Sequence, residues 1–110
     1  MSLLNLLMSS LVSMKENNMK PVDYTKLTWQ ERKAIRLAYI QEQENKCYYC
    51  NQDLSKDPPK EITDKSIDWK LFPPNFLHYP IHLQHCHKTG MTEGAVHAYC
   101  NAVMWQYERR

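Results

Sequence analysis

The chain has 110 residues, 43% of them hydrophobic, with 14 basic and 12 acidic side chains. That length supports one small domain rather than two, and a net charge of +2 excludes a large cationic field that would gather nucleic acid from a distance. Long polar and proline-containing stretches leave a thin core, of the kind that needs a metal or disulfide staple.

The first stretch, residues 1–19, is locally apolar through Leu3, Leu4, Leu6, Leu7, Leu11 and Val12. It is too short and too interrupted to span a bilayer, and it lacks the basic n-region and small-residue cleavage site of a secretory signal. Residues 1–20 therefore read as a flexible or weakly helical extension that could support a homodimer. An alternative reading makes Met14 or Met19 the natural start. A cytoplasmic setting without a membrane partner is expected, and residues 21–110 are expected to form the domain.

Residues 21–27 read as an extended lead-in. Thr28-Trp29-Gln30-Glu31 fits a capping box, in which the Thr hydroxyl and the Glu carboxylate satisfy early backbone N–H groups. Ala34, Leu37 and Ala38 then recur at helical spacing, with Ile35 and Ile40 widening the apolar face. Arg32, Lys33 and Arg36 fall on other faces; they read as phosphate contacts or, in the commoner use, as a solvated surface. Asn45 and Lys46 end this helix and deliver Cys47 into a tight turn.

From Asn51 to Pro80 the pairs Pro58-Pro59 and Pro73-Pro74 break any long element. A short helix is expected near Thr63–Trp69. Trp69, Leu71, Phe72, Phe76 and Leu77 should cover one side of the core, a partner surface being the alternative use. Ile81–His85 alternates apolar and polar residues and predicts a strand; Ala95–Tyr99 predicts a second. Gly90 and Gly94, the only glycines, are expected in the loop joining them, where backbone turns sharply or approaches something closely. A helix is expected from Asn101 onward. The fold class is α+β.

Cys47-x-x-Cys50 and His97-x-x-Cys100 offer paired soft ligands, the set a tetrahedral structural zinc takes. Two disulfides are the alternative, but the Cys47–Cys50 spacing is tight for a structural bridge, the second pair is His plus Cys, and no export signal is evident. Cys86, His85 or His87 could replace His97 in the set; the shared spacing of the two pairs argues for His97. Four filled positions predict a structural ion, since a catalytic zinc keeps one position open.

The runs Leu83-Gln84-His85-Cys86-His87-Lys88-Thr89-Gly90 and Gly94-Ala95-Val96-His97-Ala98-Tyr99-Cys100-Asn101 together resemble the HNH, or ββα-metal (His-Me finger), endonucleases. The likeness is to the recombination endonuclease VII type and the small phage HNH enzymes. That family's pattern is C-x-x-C, then D-H-x-H near K-T-G, then a pair of zinc ligands followed by Asn. The resemblance covers residues 81–105, reaches Cys47 and Cys50 less closely, and is absent before residue 28.

The resemblance implies a zinc-stapled ββα-metal domain with its core at about residues 81–110, preceded by a helix. It implies a metal-dependent endonuclease that hydrolyses DNA phosphodiesters, phage-encoded and acting in the infected bacterial cell. His85 falls on the family's general base, an imidazole able to take a proton from water near neutral pH. Asn101 falls on a ligand of catalytic Mg²⁺ or Mn²⁺, and His87 on a further active-site position. Gln84 stands where the family has an Asp ligand, so it offers an ion a dipole instead of a charge. Cys86 stands where a second Asp is common. Lys88 and Thr89 are the candidate DNA contacts, Lys88 being equally readable as a solvated charge. His78 and His82 read as surface or packing residues. Asn101 is also readable as a helix N-cap. The departure at Gln84 leaves a second function open, a catalytically weak zinc-stapled module that binds nucleic acid.

Overall fold

The computed structural model describes residues 19–109; the expected self-association segment lies outside the described residues, apart from its last two positions. Thr28 starts helix α1 (Trp29–Glu42) with the expected capping box: Glu31 N donates to Thr28 Oγ1 at 3.2 Å and Thr28 N donates to Glu31 Oε1 at 2.9 Å. The buried stripe is Ile35, Ala38 and Tyr39, spaced three and four apart as one helix face requires. Leu37, expected in that stripe, is 52% exposed, because it projects well round the helix from Ile35. Glu44 and Asn45 take left-handed backbone conformations, with φ of 55° and 63°, so the helix stops at Glu42 and reverses before Lys46.

The lead-in is more ordered than a plain extended segment. Thr92 N donates to Val22 O and Tyr24 N to Gly90 O, both at 2.8 Å, and Asp23 bridges Met91 antiparallel. A single 3₁₀ turn follows at Tyr24–Lys26, capped by Asp23. Past the Cys47 turn, a one-turn helix α2 (Lys60–Thr63) and a 3₁₀ turn (Trp69–Leu71) flank the expected 63–69 helix instead of filling it. Asp68 accepts from Lys70 N at 3.1 Å and caps the second turn separately. The loop aromatics pack on one another and on the last helix, with Phe72 edge-on to Trp105 at 5.5 Å and Trp69 to Tyr99 at 5.7 Å. Trp69, Leu71 and Leu77 stay 41–52% exposed, so this cluster covers the core only in part.

Strands β1 (Ile81–His85) and β2 (Thr92–His97) pair antiparallel, Ile81 opposite His97 and Leu83 opposite Ala95, with a register irregularity between Gln84 and His85. β2 begins at Thr92, earlier than expected, so Gly94 lies inside the strand and only Gly90, at φ 77°, serves the connecting turn. Gly94 has a packing reason: a Cβ there would stand 2.7 Å from Gln43 Oε1 and 2.9 Å from Tyr48 Cγ. Helix α3 (Ala98–Glu108) follows β2 without a loop, Ala98 N donating to Pro80 O at 2.8 Å. The helix therefore starts before Asn101, and the N-cap is His97.

The core lies between α1, the sheet and α3. Its larger side chains are Ile35, Tyr39, Leu54, Leu83, Val96, Val103 and Met104; the other buried apolar positions are Ala38, Ala95, Ala98 and Ala102 and the thiols of Cys47 and Cys100. This is a small apolar volume, as a short chain allows. No helix among the described residues is long and apolar enough to cross a membrane.

Candidate metal centre and the adjoining cleft

Cys47 and Cys50 sit in a turn whose backbone builds the ligand geometry. Cys47 N donates to Gln52 O at 2.8 Å and Asn51 N to Cys47 O at 2.9 Å, while Asn51, at φ 62°, turns the chain back. Tyr49 N and Cys50 N point at Cys47 Sγ from 3.4 and 3.5 Å, which favours a thiolate there. His97 ends β2 and Cys100 lies in the first turn of α3. The donor atoms of Cys47, Cys50, His97 and Cys100 all lie within 4.8 Å of one another.

This geometry fits a tetrahedral ion. Zinc bonds of about 2.3 Å to sulfur and 2.0–2.1 Å to nitrogen make a nitrogen–sulfur edge of about 3.6 Å. His97 Nδ1 lies 3.4 Å from Cys50 Sγ and 3.7 Å from Cys100 Sγ. The other ring nitrogen, Nε2, faces the carbonyl oxygens of Asp53 and Lys56 at 3.0 and 2.9 Å. Carbonyls only accept, so Nε2 carries the ring proton and Nδ1 turns its lone pair to the sulfurs, the support a ligating imidazole usually has.

Crowding shifts the thiols in opposite directions. The hydrogen bond from Cys100 and the backbone N–H groups lower the Cys47 thiol to about 4, whereas that same bond, burial and the neighbouring sulfurs push Cys100 up. Burial raises Cys50 as well. One thiolate is tolerated; three together need a positive ion among them. All four cysteines are unbridged. Cys86, His85 and His87, the alternative ligands, lie outside this group.

A cleft of about 730 Å³ brings together His82, Gln84, His85 and His87 from β1 and the following turn, Asn101 from α3, and Arg32, Lys33 and Arg36 from α1. His85 stacks on Tyr24, ring centroids 4.0 Å apart and planes within 10°, and the Arg32 guanidinium lies 3.9 Å from the same Tyr24 centroid. The His87 ring is 4.7 Å from that of His85. Burial, then the His87 and Arg32 charges, hold the His85 imidazole below its ordinary 6.5, against a small opposing pull from Glu93. The base form of His85 is therefore the resting form near neutral pH.

Of the remaining candidate residues, Gln84 lies on the cleft, whereas Lys88 and Thr89 do not line it. Gln84 is 2% exposed, and its amide nitrogen donates to His85 O at 2.9 Å and Glu93 Oε1 at 3.3 Å. It lines the cleft floor, with its amide nitrogen engaged by these two acceptors. Thr89 lines a separate cavity on the side of Glu42 and Glu93, and exposed Lys88 is not part of the cleft wall. The cations on the cleft are those of α1, which the sequence offered first as solvated.

His82 is the residue the sequence undervalued. Asn101 Nδ2 donates to its Nδ1 at 3.0 Å, and Phe76 packs edge-on against the ring at 4.7 Å. Burial holds His82 below its ordinary value, opposed by backbone hydrogen bonds and assisted by the Arg36 charge, so its Nδ1 stays free to accept. With its nitrogen so occupied, the Asn101 amide turns its oxygen away from His82. The available signal was topological: α3 follows β2 without a loop, so its first turn returns over β1.

Comparison with protein-family models, with curated proteins and with solved structures finds no match to this chain. What the chain itself carries is a four-residue cluster positioned to bind a metal ion, beside a cationic cleft lined by imidazoles and one amide.

Proposed function

We propose that the chain is a small endonuclease of the ββα-metal class, stapled by zinc, that hydrolyses DNA phosphodiesters with one further divalent ion. The observation that carries this reading is the convergence of His85, His87 and Asn101 with the α1 cations on one cleft, in a chain whose motif order resembles that family. Three thiolates and an imidazole suit zinc and fill its tetrahedron, which supports a structural role for the ion.

His85 serves as general base. Its neutral imidazole takes a proton from water while the water oxygen bonds to phosphorus and the bond from phosphorus to the 3′ oxygen breaks. The leaving oxygen gains its proton from solvent. Arg36 and Lys33 offset phosphate charge at the cleft wall. His82 fixes the Asn101 amide through its hydrogen bond. Asn101 and His87 would hold the catalytic ion, which supplies Lewis acidity at the scissile phosphate. No carboxylate lines the cleft among the described residues. An imidazole and amide-oxygen donor set fits Mn²⁺ or a later transition ion better than Mg²⁺, which is usually held through carboxylates.

Zinc-loaded protein with Mn²⁺ is expected to nick supercoiled plasmid, and His85→Ala to lose roughly 10²- to 10⁴-fold of the rate with zinc content and circular dichroism unchanged. Equal nicking by the variant removes the base assignment. Gln84, where the family has a carboxylate, favours a second reading as a binding module that does not cut. Calorimetric titration of Mn²⁺ with and without uncleavable DNA separates the two: heat of ion binding supports the nuclease, and its absence in both titrations selects the module.

A further inference from the structure

We infer that the cleft takes unpaired DNA, its bases stacking on Trp29 and Tyr79 while Lys33 and Arg36 hold the backbone. This rests on reading the cleft as a nucleic-acid site and adds the form of substrate it accepts. Trp29 is 70% exposed and Tyr79 63% exposed, and both line the cleft that holds the imidazoles. Neither serves the core. Trp29 is the first residue of α1, whose buried face is Ile35, Ala38 and Tyr39; Tyr79 lies in the loop just before β1.

Burying a large flat ring releases apolar surface from water, so two such rings left open beside cations offer binding energy to a flat, anionic partner. Charge complementarity selects the partner's sign: the described residues of this wall include Arg32, Lys33 and Arg36 and no carboxylate. Neither Lys33 nor Arg36 is paired with a carboxylate among the described residues. Arg32 is engaged with the Tyr24 ring and carbonyl, which leaves the other two for phosphates. The separate cavity beyond β2 has the opposite character, lined by Glu42 and Glu93 and no Lys or Arg.

A duplex hides its base faces within the stack and shows a protein only edges and backbone. An unpaired strand exposes every face, and a groove combining cations with stacking rings is the arrangement that holds it without regard to sequence. A flap, gap or unwound junction presents the same chemistry beside a duplex.

The test is anisotropy of a labelled oligothymidylate and of a labelled duplex, each titrated with the full zinc-loaded chain without other divalent ions. Single-stranded DNA is expected to bind roughly tenfold tighter or more than duplex and to quench tryptophan emission. Trp29→Ala and Tyr79→Ala should each weaken single-strand binding roughly 5- to 150-fold with duplex binding unchanged, and Trp29→Phe should retain most of it. Equal or tighter binding of duplex overturns the inference, as does wild-type single-strand affinity in both alanine variants with folding verified by circular dichroism. The outcome is separable from that of the nuclease reading. Stacking-dependent binding without cleavage under any ion sustains this inference and removes the nuclease; plasmid nicking without single-strand preference does the reverse.

Discussion

His85 draws its chemistry from where its ring rests. Stacked on Tyr24 and half-buried, with His87 and Arg32 nearby, the imidazole resists protonation and is held below 6.5. The sign follows directly: the proton-accepting form prevails above its lowered value and is lost only on further acidification. Nicking is expected to hold a plateau above pH 6.5 and to fall on an acid limb whose apparent pKa lies below 6.5. An acid limb inflecting above that value would contradict the burial account. Stability follows the same direction. As pH falls below 6.5 the unfolded chain binds the proton first, so the folded state loses stability toward acid and regains it above the unfolded value.

Among the elements, the join between α1, the Cys47 turn and β2 depends on one side chain outside every motif. The Gln43 amide imitates a strand: Nε2 donates to Ala95 O at 2.9 Å and Lys46 O at 2.7 Å, and Oε1 accepts from Ala95 N at 2.9 Å. Tyr48 N adds a further bond to Ala95 O, and Gly94 supplies the room for both neighbours. Ala95 is fully buried, so removing the amide strands its N–H away from water. Gln43→Ala is expected to cost about 1–3 kcal/mol, read as a lower denaturant midpoint of the zinc-loaded protein. An unchanged midpoint would show that the pairing does not stabilise the join. Only the fold assigns Gln43 this role, since a glutamine after a helix is ordinary in sequence.

For the molecule as a whole, the candidate metal centre links parts distant in sequence. Cys47 and Cys50 come from the first half, His97 and Cys100 from the join of β2 and α3. A structural zinc contributes about 10–16 kcal/mol of binding energy in small peptides at neutral pH, comparable with the whole stability of a typical domain, about 5–15 kcal/mol. With so many alanines in the core, chelation is expected to abolish most ordered circular dichroism at neutral pH, and zinc to restore it. A chelated chain that keeps its cooperative transition would refute the staple. The ion should also be lost on acidification, because protons compete with it for the thiolates.

Local rules were legible where short-range physics decides. The Thr28 capping box, the β1 bounds at Ile81–His85 and the pairing of two ligand dyads follow from hydrogen-bonding chemistry, alternation and ligand spacing within a few residues. The apolar stripe of α1 was legible only in part, since periodicity did not distinguish Leu37 from Tyr39. The start of β2 was hidden because Gly94 signals a turn locally, and its real purpose, room for Gln43 and Tyr48, arises across the fold. The candidate cleft divides the same way. The sequence by itself brought His85, His87 and Asn101 under suspicion and gathered the four metal ligands. Tertiary structure alone seated His82 against Asn101 and set the α1 cations on the cleft wall, because those contacts join residues whose neighbours in sequence carry no trace of them.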